Sequence, residues 1–132
     1  MSFIKFKKIW EDDDSMLELE LSASNGRMLT TQAFCIYPKE FSSFAKQLEE
    51  FFPKLGKGEV ELEYGSEMKN FFSYVSFRVS YKNLGELKIG VRTNNNKEGE
   101  EIAISHFYMY ISNQELNNLG KKLVNWVSQM DS

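Results

Sequence analysis

Leu17-Glu18-Leu19-Glu20-Leu21-Ser22-Ala23-Ser24-Asn25-Gly26-Arg27 alternates leucine with glutamate and then meets an Asn-Gly step. Residues two apart on an extended chain share a face, so the leucines turn toward a core and the glutamates toward water. Asn-Gly tolerates the positive φ of a tight hairpin, which predicts a type I′ turn and a return strand from about Met28 to Ile36. A strand buried on one face only belongs in an antiparallel sheet with a single covered side. This stretch decides the fold class.

Working outward, Ile4, Phe6, Lys8 and Trp10 share one face of a strand over residues 3–10. Pro38 suits the first turn of a helix, where its missing N–H costs nothing. From there Phe41, Phe44, Ala45, Leu48, Phe51, Phe52 and Leu55 recur at helical spacing. Pro53 and the Gly56/Gly58 pair are expected to end that helix. Val60, Leu62 and Tyr64 then alternate with Glu59, Glu61 and Glu63, and Val75, Phe77, Val79 and Tyr81 share a face of a strand over 71–82. Asn83-Leu84-Gly85 turns the chain into an alternating strand over 86–92. Asn94 to Gly99 reads as a polar loop and Glu101 to Ile111 as the last strand. Ser112-Asn113-Gln114-Glu115 is a capping box, in which the Ser112 hydroxyl and the Glu115 carboxylate each accept the other's backbone N–H. Leu116, Leu119, Leu123, Val124, Val127 and Met130 make the apolar stripe of the helix behind it. The order predicted is β-β-β-α-β-β-β-β-α: an α+β fold, mainly antiparallel sheet, with two amphipathic helices packed on one face.

The length of 132 residues, with 42% hydrophobic and 14% aromatic content, suffices for a real core. No internal repeat or dividing linker appears, so residues 1–132 read as a single domain. The net charge of −3 argues against nucleic-acid binding by phosphate neutralisation and favours a basic partner. A single cysteine, Cys35, allows no internal disulfide and points to a reducing cytoplasm. The N-terminal apolar residues alternate with lysines rather than forming a signal sequence, and no apolar run has the length of a membrane span.

The chemical inventory is thin. His106 is the only histidine, and its strand position suggests a structural role within the sheet. Cys35 reads as a small core residue. One His and one Cys exclude the usual zinc patterns, and Asp12-Asp13-Asp14 lacks the ligand spacing and glycine of a calcium loop. Gly56-Lys57-Gly58 lacks the spacing of a phosphate loop, and there is no Gly-x-Ser-x-Gly elbow. The expectation is no catalytic residue, no metal, no cofactor and no enzyme.

Two surface features remain as candidate binding sites. Glu18, Glu20, Glu59, Glu61 and Glu63 line the polar faces of two strands. Set side by side they form an acidic field that steers a basic partner; set opposite Arg78, Lys88 or Arg92 they form ordinary exposed pairs. The second feature is aromatic. Phe72 and Tyr74 lie opposite Val75 and Phe77, and Ile104, Tyr108 and Tyr110 lie opposite Phe107, Met109 and Ile111. One face lies beneath the helices. The other is either covered by a curled sheet or second layer, or it associates with a protein partner or a second copy of the chain.

The whole pattern is similar to small bacterial immunity proteins of polymorphic-toxin systems, the WapI-type group in particular. The resemblance runs over residues 16–127. It rests on Phe34-Cys35-Ile36-Tyr37 leading into Glu40-Phe41 and Phe44, the strand from Gly58 to Glu63, Gly85-Glu86-Leu87-Lys88-Ile89, and Asn113-Gln114-Glu115-Leu116 opening the last helix. Asn113 stands where that group's pattern has Asp. The resemblance implies a non-enzymatic cytoplasmic module that binds and neutralises a cognate toxin, such as a basic toxin domain encoded beside it. It carries over no catalytic or contact residue. The alternative is a small-ligand-binding or accessory domain that uses a concave sheet face beneath the helices.

Overall fold

The computed structural model describes residues 2–11, 16–52, 58–65, 73–83 and 85–130. The chain forms β1 (Ser2–Glu11), β2 (Leu17–Asn25), β3 (Leu29–Ile36), α1 (Pro38–Glu49), β4 (Glu59–Gly65), β5 (Tyr74–Asn83), β6 (Glu86–Asn94), β7 (Ile104–Ser112) and α2 (Asn113–Met130). This is the expected element order. The strands divide into two antiparallel sheets, β1-β2-β3 and β4-β5-β6-β7, each a simple meander. Asp12–Asp14, Pro53, Leu55, Gly56, Phe72 and Leu84, on which expectations also fell, lie outside the described residues.

The alternation read from the sequence is what builds the core. Leu17, Leu19 and Leu21 of β2, Val60 and Leu62 of β4, Val75, Phe77 and Val79 of β5, and Leu87, Ile89 and Val91 of β6 are all buried. Leu116, Leu123 and Val127 of α2 and Phe41, Phe44 and Leu48 of α1 close on the same cluster. Each such side chain contributes about 1.5–3 kcal/mol on leaving water. The rings join the two sheets through α1. Phe44 stands 6.2 Å from Phe6 of β1 and 5.6 Å from Phe77 of β5, both edge-to-face. Polar links join the sheets as well: the Thr30 and Thr93 hydroxyls share a buried hydrogen bond, and Ser73 Oγ donates to the Ala33 carbonyl at 2.7 Å.

The helices are fastened end to face. The capping box forms as read, with Glu115 N–H donating to Ser112 Oγ and Ser112 N–H to Glu115 Oε1, each at 3.1 Å. Within its first two turns α2 meets the end of α1. Asn113 Nδ2 donates to the Phe51 carbonyl at 2.9 Å, and Asn117 Nδ2 donates to the Leu48 and Phe51 carbonyls at 2.9 and 3.0 Å. The Leu48 carbonyl belongs to the last turn of α1, which a helix leaves without an intrahelical partner, and that of Phe51 lies just past the helix. Gly120 lets the two backbones touch: a Cβ there would lie 2.7 Å from Glu49 Cα and from the Leu48 carbonyl carbon.

Several local expectations are corrected. The α1 helix stops at Glu49 rather than running to Pro53, and the asparagines of α2 donate to the Leu48 carbonyl of its last turn and to the Phe51 carbonyl just beyond it. Phe51 still reaches the core, while Phe52 is exposed. The hairpin after β2 is not a type I′ turn. Gly26 alone takes a positive φ, of 94°, and the Asn25 carboxamide oxygen accepts the N–H groups of Arg27 and Met28. Trp10 does not share the face of Phe6. A bulge between Lys8 and Trp10 sets Lys8 opposite Leu19 but Trp10 opposite Glu18, which turns its indole to the outer side. Cys35 is half-buried opposite Glu18 rather than in the core, since Phe34 and Ile36 occupy the inward positions of β3. Strand β7 begins at Ile104, after a 3-10 turn at Gly99–Glu101 that Asn95 supports by accepting the Ala103 N–H and donating to the Glu101 carbonyl.

Candidate functional site

Because side chains alternate across a strand, burying one face of β4-β5-β6-β7 presents the other to solvent. The registers set its side chains in rows. Glu61, Arg78, Gly90 and Tyr108 form one; Glu63, Ser76, Arg92 and His106 form the next. Glu59, Ser80, Lys88 and Tyr110 flank these on one side, and Tyr74, Asn94 and Ile104 on the other. Between the rows runs a shallow groove of about 240 Å³, lined by Glu63, Tyr74, Ser76, Arg78, Gly90, Arg92, His106 and Tyr108.

Charge is laid out unevenly across this face. On β4 the glutamates are engaged from β5. Arg78 Nε donates to Glu61 Oε2 at 2.7 Å, and Nη2 contacts the same oxygen; Nε also lies 3.3 Å from Glu59 Oε1. The Glu61 hydrogen bond first, and then the charges of Glu61 and Glu59, hold the Arg78 pKa above its ordinary value. The Tyr74 hydroxyl donates to Glu63 Oε2 at 2.6 Å. Exposed pairs of this kind add little stability, but they fix side chains and reduce the field of the row.

Strand β7 contributes aromatic surface. Ile104, Tyr108 and Tyr110 are 53%, 47% and 46% exposed, whereas Phe107 and Met109 on the other side of the same strand are buried. Tyr108 lies over Gly90, where a Cβ would stand 3.2 Å from its Cε1, so the absent side chain makes room for the ring. Lys88 Nζ sits 5.0 Å from the Tyr108 ring centre and Lys82 Nζ 3.8 Å from that of Tyr110, both cation–π contacts. His106 is exposed, with its ring 5.3 Å from that of Tyr108, and is a surface residue rather than one held within the sheet.

Of the candidate residues, Glu59, Glu61, Glu63 and Tyr74 come together here. Glu18 and Glu20 lie on β2 of the three-stranded sheet, with Lys7 directly opposite Glu20. The two groups of glutamates therefore stand on different sheets. Phe72 is outside the described residues. Tyr108 belongs to the aromatic feature expected from the sequence, whereas Arg78, Lys88 and Arg92 entered there only as pairing partners of the glutamates and His106 only as a structural residue. Gly90 within a strand was the available signal, because a lone glycine there marks a close approach.

Among solved structures, the chain is similar to a chain of the CdiA-CT/CdiI toxin and immunity complex from Enterobacter cloacae. The likeness is one of fold. It covers 93% of this chain and 99% of that one, at 10% identity and a TM-score of 0.50. No family model matches, and neither does any curated protein. Among the described residues no group of three or more His, Cys, Asp or Glu side chains is arranged to hold a metal ion. No helix among them is long and apolar enough to cross a membrane.

Proposed function

We propose that this chain is an immunity-type protein, without enzymatic activity, that binds a partner toxin and neutralises it by covering its surface. The observation that carries this reading is the outward face of the four-stranded sheet, where an exposed row of Ile104, Tyr108 and Tyr110 is flanked by fixed charges. Aromatic side chains with polar tips are the residues that dominate protein interfaces. The fold shared with a chain of a toxin–immunity complex supports the same reading, as does the sequence resemblance to bacterial immunity proteins. Membership of the WapI-type group, a bacterial cytoplasmic setting and a basic toxin domain as partner belong to this proposal. In it, Glu59, Glu61, Glu63 and Tyr74 bound the contact surface on the β4 side. The alternative of a ligand held beneath the helices is left only the rim of the inner face, since Val75, Phe77, Val79, Ile89 and Val91 fill its middle with no exposure at all.

The test is co-expression with the product of the adjoining gene. Restored growth and a stable complex at equal stoichiometry are expected. Growth arrest by this chain alone would assign it to the toxin side instead. Failure to bind or to protect would overturn the reading.

A further inference from the structure

We infer that β6 and β7 form a docking strip for an acidic, apolar segment of a protein partner, with Lys88 and Tyr108 at its centre. This rests on the protein-binding reading above and names the chemistry that the face accepts.

Charge separates across the sheet. At the β4 side the glutamates are engaged by Arg78 and Tyr74. On β6 and β7 the outward cation beside the aromatic row is Lys88, against the Tyr108 ring. Among the described residues of these two strands the one outward carboxylate is Glu86, at the strand end, 3.7 Å from Lys82. Lys88 and Lys82 lie against tyrosine rings, so positive charge borders an exposed aromatic row. A segment carrying carboxylates among Leu or Phe meets both properties. Its apolar groups cover Ile104, Tyr108 and Tyr110, and its carboxylates reach the ammonium groups as water leaves. A basic segment would meet like charge on this half of the sheet. A nucleic acid would meet the cations too, but beside the glutamates of β4 and on a chain of net charge −3. A toxin that is basic as a whole still fits, provided the strip it presents here is acidic.

The experiment uses the full chain, isotope-labelled for NMR, and four probes. They are a short peptide of Glu and Asp interspersed with Phe and Leu, the same peptide with Ser for the apolar residues, a version with Lys for the acids, and oligothymidine. The first peptide alone should shift resonances centred on Lys88, Tyr108 and Tyr110. Lys88→Glu and Tyr108→Ala should each weaken it by about tenfold or more, as loss of a central interface residue does. Lys88→Gln, a milder change, should also weaken it and keeps the test decisive if Tyr108→Ala does not fold. Shifts that centre elsewhere, no shift at all, or equal binding of the lysine peptide or the oligonucleotide would overturn the inference. Complex formation with the adjoining gene product is measured separately, so failure here leaves the broader reading standing.

Discussion

The two faces of the four-stranded sheet are built by the same four strands from alternate residues, yet they differ in character. The inward face is closed: Val75, Phe77, Val79, Ile89 and Val91 show no exposure. The outward face keeps Ile104, Tyr108 and Tyr110 about half exposed and pairs Arg78 with Glu59 and Glu61 at its β4 side. Stability should therefore reside inward and recognition outward. A substitution should move one property and leave the other nearly unchanged.

The sharpest way to break that division is Phe77→Ala. Its ring is fully buried and touches those of Phe6 and Phe44, so the loss should be about 3–5 kcal/mol in denaturant unfolding. A cost near zero would mean that the inward face is not the core. Gly120→Ala probes the fastening of the helices. The new Cβ meets the backbone of Leu48 and Glu49, which cannot move aside as a flexible side chain would, and a cost of about 1–3 kcal/mol or more is expected. An unchanged midpoint would show that α1 and α2 do not cross at that point.

Ile104→Ser tests the other side of the comparison. Stability should change by no more than about 0.5 kcal/mol, the range of ordinary surface positions. A larger loss would make this face structural. The smallest effect belongs to Tyr64. Burial first, and then the charge of the Cys35 thiolate, raise its pKa above the ordinary tyrosine value of 10.0. The folded state thus keeps the proton longer than the unfolded one. The associated stability is fully present below pH 10 and is lost as pH rises from there toward the folded value. Unfolding curves above pH 10 should fall less steeply for Tyr64→Phe than for the parent; equal slopes would remove the effect.

What the sequence disclosed was local. The Leu17–Leu21 alternation and the Ser112–Glu115 capping box are complete within a few residues, and both form as read. The outward row of β7 was legible too, because Ile104, Tyr108 and Tyr110 lie opposite buried neighbours. Long-range contacts were not legible. The end of α1 is met by Asn113 and Asn117, more than sixty positions away. An aspartate at 113 would present only acceptors and could not donate to the Phe51 carbonyl. The division into two sheets, which parts Glu18 and Glu20 from Glu59, Glu61 and Glu63, is likewise a property of topology that alternation cannot carry. Engagement of the β4 glutamates by Arg78 depended on strand register, which alternation left open between field and pair.

The central claim is that the outward face binds the toxin partner. Its most direct test is the dissociation rate of the complex with the adjoining gene product, measured for the parent and for Tyr108→Ala/Tyr110→Ala. Circular dichroism and unfolding midpoints should be recorded on the same samples. The account predicts a folded variant whose complex dissociates about tenfold faster or more, since interface truncations act mainly on dissociation. A folded variant that releases the partner at the parental rate would contradict it.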